Sequence, residues 1–343
     1  MADMHARRLD APREGGHDAP RSPPEGWLQP ATPAIPLPMW ISAGAIVAFI
    51  AAVFFSTKAI FVKLTYLYGA DAISALALRM IMALPMLLAV AWYSTRGDVR
   101  SLTRSDWKAV LLLGFVGYYL SSLLDFLGLE YITASLERLI LFLYPTIVAL
   151  ISWALLKKPI GAKGILALLL SYIGIAISFV RDLQHTGDVS AVLIGGGFVF
   201  ACTITYAIYI VGSGEMVGRI GALRFAAYAT SVAALCCLIQ FAFTRPFAEL
   251  FNFPPQVYGY SLAMAVIATV LPVIMTAKAI QMIGAPKVAI IGAVGPVATI
   301  ILAWWLLGEP IGWEQIVGAA LVMSGVLLIS VKPRPKPVAV PAD

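Results

Sequence analysis

From Trp40 to Val331 the chain alternates long apolar runs with short polar breaks, and it lacks the two-residue alternation of half-buried strands. Bounded by charge, Gly and Pro, ten runs stand out: 40–65, 72–93, 107–128, 132–155, 163–180, 190–213, 222–244, 257–279, 284–307 and 313–331. Each is close to the roughly 20 apolar residues that a helix needs to cross a bilayer core. No ten-residue alternating segments of the barrel type occur. The pattern predicts an all-α membrane protein with ten transmembrane helices.

Two of the breaks are near copies. Trp153-Ala-Leu-Leu-Lys-Lys-Pro-Ile-Gly161 and Trp304-Trp-Leu-Leu-Gly-Glu-Pro-Ile-Gly312 lie 151 residues apart. The same offset pairs Ala134 with Ala285, Ile140 with Ile291, Pro145 with Pro296, Ile165 with Ile316 and Gly174 with Gly325. At slightly different offsets, Lys58-Ala-Ile-Phe61 matches Tyr206-Ala-Ile-Tyr209, and Arg79 matches Arg224, each preceded by Ala-Leu. The chain therefore reads as two repeats, 40–180 and 190–331, flanked by tails 1–39 and 332–343. Five spans per repeat is an odd number, so the repeats enter the membrane from opposite sides.

Charge supplies the orientation. Arg96, Arg100, Arg104 and Lys108 follow span two, and Lys157, Lys158 and Lys163 follow span four. Arg219 follows span six, Lys287 follows span eight, and Lys332, Arg334 and Lys336 follow span ten. The remaining loops add little beyond Arg181 and Arg245. By the positive-inside rule both termini are cytoplasmic, as expected in an inner (plasma) membrane. Lys157 and Lys158 then face the cytoplasm, while their counterparts Gly308 and Glu309 face outward.

Composition agrees with this reading. The chain is 60% hydrophobic and 12% charged with a mean hydropathy of +0.88, whereas soluble domains carry about 25% charged residues. Its net charge of +6 is spread through loops rather than gathered in a patch, which argues against a nucleic-acid partner. Cys202, Cys236 and Cys237 lie inside apolar runs without zinc or disulfide spacing and read as packing residues, so no metal or cofactor is expected. Residues 1–39 are rich in Pro, Gly and charge and hold no apolar h-region, which suggests a disordered cytoplasmic tail.

On the Pro145 and Pro296 helices and the Leu306-Leu-Gly-Glu-Pro-Ile-Gly312 stretch, the chain resembles the drug/metabolite transporter superfamily, specifically proteins with two tandem EamA domains. The resemblance covers about residues 42–331. It implies ten helices in two inverted halves and carriage of a small organic metabolite across the membrane, often as export. The first half departs from the family pattern by placing Lys158 where the acidic residue usually stands.

Polar groups inside the spans are the candidates for transport chemistry. Tyr118, Ser121, Ser122 and Asp125 fall at i, i+3, i+4 and i+7 on one face of span three, and Thr269, Pro272 and Thr276 take the corresponding places in span eight. These faces line either a substrate pathway or interhelical hydrogen bonds. Asp125 is a candidate proton carrier, with a static ion pair to Arg79 as the alternative. Glu137 and Arg138 open span four at the same level, pointing about 100° apart.

Lys58 suits anion attraction or proton exchange, or else it pairs with an acid or reaches to the interface. Tyr119, Tyr206 and Tyr209 suit an aromatic or amphipathic cargo, or anchor helices at the interface. Pro145 and Pro296 lie mid-span, where each favours a kink, as a hinge or as a fixed bend. Ala167, Ser171 and Gly174 with Gly318 and Gly325 offer small-residue faces for packing within the bundle or at a homodimer seam.

The functional expectation is a secondary transporter working by alternating access, with proton coupling at Asp125, Lys58 and Glu137. A flippase for a lipid or lipid-linked metabolite is the alternative. A membrane-embedded enzyme fits least, because His5, His17 and His185 lie in the tail or a loop and no paired-carboxylate motif occurs.

Overall fold

The computed structural model describes residues 42–96, 101–157 and 161–330. Both expected tails, Arg100 and the Lys158-Pro159-Ile160 part of the first motif lie outside the described residues. Among those described, nine helices are long and apolar enough to cross a membrane: α1 (Ala43–Leu67), α2 (Ala72–Thr95), α3 (Arg104–Leu129), α4 (Ala134–Ala154), α5 (Ala162–Thr186), α6 (Val189–Ile220), α7 (Ala222–Thr244), α8 (Pro255–Ile283) and α9 (Lys287–Leu307). A shorter apolar helix, α10 (Trp313–Ser330), is the tenth.

Local chemistry sets the helix ends. Ser42, Asp71, Thr103, Thr133 and Asp188 cap helix starts with side-chain oxygens that accept backbone N–H groups. Gly187 and Gly308 end helices in the left-handed region that a Cβ disfavours. Two helices outrun the sequence reading by six residues or more. Helix α6 continues past Gly212 and Gly214 to Ile220, because Met216 and Ile220 are buried in a cluster with Val110 and Leu113 of α3 and Arg219 pairs with Asp106 at 2.9 Å. Helix α5 continues six residues beyond 180 to Thr186, where Gly187 stops it.

The two repeats do not fold as separate bundles. Helix α1 packs on α8 as α6 packs on α3, α2 packs on α7, and α5 packs on α10. Exchanging each helix for its partner five places on reproduces this set of pairs, the signature of a pseudo-two-fold arrangement of inverted repeats. A single apolar cluster around Ile60, Leu76, Met80, Phe126 and Phe241 draws on helices from both repeats. The small-residue faces of α5 and α10 meet each other: a Cβ on Gly174 would meet the Gly318 carbonyl at 2.6 Å, and one on Gly325 would meet the Ala167 carbonyl at the same distance. That seam is filled within the chain.

Two kinds of backbone irregularity obey the repeat, while a further π-helical turn, Ala303–Leu307 in α9, has no counterpart in α4. A π-helical turn runs Phe115–Leu120 in α3, and its counterpart runs Val266–Val270 in α8. Helix α4 is interrupted at Phe142 and Leu143, with Pro145 in the first turn of the segment that follows; α9 is interrupted at Ala293 and Val294, with Pro296 placed likewise. Proline removes a backbone donor where the helix restarts, so the break leaves one fewer unsatisfied N–H.

Matching stretches nevertheless sit in unequal surroundings. All eight residues of Ala134–Leu141, before the break in α4, are buried. Their counterparts before the break in α9, Lys287–Gly292, are all exposed or half-buried. The molecule is closed where α4 begins and looser where α9 begins.

Candidate functional site

The closed end is held by carboxylates on the start of α4. Glu309, just past α9, accepts the Ala134 N–H at 2.8 Å and the Ser135 N–H and hydroxyl at 3.3 and 2.8 Å. Asp182 of α5 accepts the Thr133 N–H at 3.1 Å and the Thr133 hydroxyl, while Thr133 Oγ1 accepts the Leu136 N–H at 3.1 Å. Unpaired N–H groups and the positive end of the helix dipole favour negative charge there. The matching start of α9 has one fewer N–H to satisfy, because Pro286 in its first turn lacks one. The position equivalent to Glu309 is the lysine at 158. Beyond this closure lies an open hollow of about 450 Å³, lined by Lys63, Tyr66, Glu130, Thr133, His185 and Glu309 among others.

Beneath the closure lies a buried charged group. The Lys58 ammonium of α1 donates to Asp125 Oδ2 of α3 at 2.6 Å and to Glu137 Oε1 of α4 at 3.1 Å. Asp125 Oδ1 and Glu137 Oε2 meet no N–H or O–H donor from another residue, and the two carboxyl groups lie within hydrogen-bonding reach of each other. The expected Arg79–Asp125 ion pair does not form. Lys58 reaches Asp125 first, and the Arg79 Nε donates to Thr269 Oγ1 in the π-turn of α8 at 3.0 Å, with its guanidinium 5.5 Å from the Phe126 ring centre. Arg138 faces the other way from Glu137, as its position one residue on requires. Its Nη2 donates weakly to Ser56 Oγ at 3.4 Å and its guanidinium lies 4.9 Å from the Phe55 ring centre. Ser56 Oγ in turn reaches the Gly295 carbonyl at the α9 break, 3.1 Å away.

An aromatic group adjoins the charges. Tyr118 meets Tyr209 edge-on at 4.9 Å, Tyr206 stacks on Tyr209 at 6.0 Å, and Tyr144 meets Tyr206 edge-on at 5.3 Å. The polar face expected on α3 is split between these environments, because the π-turn adds a residue and shifts the register. Tyr118 joins the aromatics and Asp125 joins Lys58. Ser121, rather than Ser122, reaches α6, with its hydroxyl 3.2 Å from Cys202 Sγ. Ser122 is half-buried, Tyr119 packs beside Phe115 at 5.1 Å, and Thr276 is half-buried on α8.

Sequence reading had no means to find Ser56, Tyr144 or Asp182, which carry no motif. It did flag Glu309 through the repeat, though without a role. Ten apolar helices in two inverted repeats, crossing over one another around buried charges and tyrosines, define a polytopic membrane transporter.

The chain belongs to the EamA-like transporter family, which matches residues 42–180 and 193–331. It is 30% identical to the uncharacterized transporter YcbK of Bacillus subtilis (strain 168), over 81% of this chain and 89% of that one. It is 28% identical to the uncharacterized transporter YyaM of the same organism, over 69% and 77%. One crystal structure of a protein aligns with a TM-score of 0.57 at 17% identity, covering 84% of this chain and 97% of that chain, which shows a shared fold.

Proposed function

We propose that this transporter is a secondary carrier that moves a small organic solute across the inner (plasma) membrane by alternating access, with both termini cytoplasmic. The observation that carries the reading is the inequality of two stretches related by the repeat, Ala134–Leu141 buried and Lys287–Gly292 not. Inverted repeats can exchange such environments, so the second state is the same asymmetry with the halves reversed. In the orientation that the loop charges favour, the Glu309 end faces outward and is shut.

Asp125, Lys58 and Glu137 together are the coupling group in this reading. One ammonium is shared by two carboxyl groups, so one of them can hold a proton while the other stays paired with Lys58. A neutral triad is cheaper to rearrange inside hydrocarbon than a charged one. Export is the direction that the resemblance implies. A homodimer would have to use a face other than the α5–α10 seam, and no step of the reading asks for catalysis.

Single cysteines at Leu136 and Ile290, in a background without the native cysteines, test the two-state reading through their reaction with a membrane-impermeant thiol reagent. Ile290→Cys is expected to react readily and Leu136→Cys slowly, with conditions that drive turnover shifting the two in opposite directions. Two unchanging reactivities during measurable flux would reject alternating access. Flux in proteoliposomes that ignores an imposed pH gradient at fixed membrane potential would reject proton coupling.

A further inference from the structure

The buried charges beneath the closure do not balance. Lys58, Arg79 and Arg138 face only Asp125 and Glu137, and Lys58 takes both acids. Neither guanidinium has a carboxylate within ion-pair reach among the described residues, and Arg79 Nη1 and Arg138 Nε have no hydrogen-bond partner. A buried arginine held only by a hydroxyl and the face of a phenyl ring leaves much of its desolvation cost uncompensated. That cost is recovered when an anion arrives.

Of the two arginines, Arg138 has the better setting. It sits one turn before the α4 break, within the buried stretch of the closed end. Its Nη2 lies against the backbone of Gly295, where a Cβ would meet it at 2.8 Å, and Gly295 opens the segment of α9 that follows the break. The start of a helical segment adds positive potential beside the guanidinium. Tyr144 and Tyr206, both half-buried, are within electrostatic reach of the same guanidinium and continue into the Tyr209 and Tyr118 rings. Tyr206 is the repeat counterpart of Lys58, so one half of the centre offers charge and the other offers aromatic surface.

We infer that Arg138 is the anion receptor of the substrate site, and that the substrate is an organic anion whose carboxylate or similar group pairs with Arg138 while a flat apolar body lies on Tyr144 and Tyr206. The inference rests on the carrier reading for its use of the word substrate, but not for the binding itself. It transfers to Arg138 the anion-attracting role that the sequence suggested for Lys58, which is already engaged by two acids.

The test is binding to the purified full-length protein, read by thermal shift and by equilibrium titration, with three probes of one shape: 3-phenylpropionate, its neutral amide, and phenethylamine. A saturable stabilisation by the carboxylate alone is expected. Arg138→Gln should weaken that binding at least tenfold, with Arg138→Lys intermediate, and Tyr206→Ala should weaken it with Arg138 intact. Equal binding of the amide, no binding of the carboxylate, or unchanged carboxylate affinity in Arg138→Gln would overturn the inference. If Arg138→Gln does not fold, the wild-type comparison of carboxylate with amide and the Tyr206→Ala titration still decide it. Loss of the anion site with opposed thiol reactivities intact refutes only this inference. Carboxylate binding without any change in thiol reactivity refutes only the carrier reading.

Discussion

Lys58 shows how one residue organises the centre. It is the only ionic partner of Asp125 and Glu137 among the described residues, so removing it strands two carboxylates in a membrane interior. Lys58→Met is expected to destabilise the folded protein by about 3–5 kcal/mol, seen as a fall in the thermal midpoint. Adding Asp125→Asn to Lys58→Met should cost less than the two changes summed, since it removes one stranded charge, and a double-mutant cycle measures the difference. At the surface, Asp71 caps α2 and pairs with Arg245. Burial pushes the Asp71 carboxyl up, but hydrogen bonding to Ser74 and the Arg245 guanidinium outweigh it and hold the group below its ordinary value. The stability this contributes is present at neutral pH and is lost as pH falls through the lowered value. The thermal midpoints of wild type and Arg245→Ala should therefore differ at pH 7, with the difference starting to shrink only as pH falls below about 4 and vanishing below the lowered value.

At the scale of elements, the start of α4 and the start of α9 show how one fold position takes two chemistries. Glu309 and Asp182 satisfy the N–H groups of α4, whereas Pro286 leaves α9 with fewer to satisfy. Glu309→Ala is expected to weaken the closed end by about 1–3 kcal/mol, the range for hydrogen bonds to a charged acceptor. Faster thiol modification of Leu136→Cys, with global stability changed by no more than that amount, is the readout. Glu309→Gln keeps an acceptor but not the charge and should fall between. The π-turn in α3 is a second such element. Gly117 lies within it, and a Cβ there would overlap the Tyr209 side chain. Gly117→Ala should therefore disturb the tyrosine group, which near-ultraviolet circular dichroism can follow.

Across the whole molecule, the pairing of α1 with α8 and α3 with α6 makes each half complete the other's core. In the proposed alternating-access cycle, movement of one end is tied to movement of the other, because α4 and α9 are each held by helices from both repeats. A short cross-link between Ser135→Cys and a cysteine placed at Ile311, beside the closure, is expected to stop flux while leaving probe binding in place. Flux that survives complete cross-linking would mean that this end does not open during transport.

The ten helices, the two repeats and their inversion were readable from the chain, because apolar length, repeat offset and loop charge are properties of sequence under the constraint of a bilayer. Pro145 and Pro296 each lie in the first turn after a helix interruption, where a missing donor is tolerated. What lay beyond that reading was the choice of partners. Lys58 has two acids instead of one, Arg79 has Thr269 instead of Asp125, and Arg138 has Ser56 and the Phe55 ring. These outcomes depend on a π-turn that shifts the face of α3 and on the crossing of helices from different repeats. Ion pairs inside a membrane are decided by distances of a few ångströms, and those come from packing across the chain rather than from spacing along it.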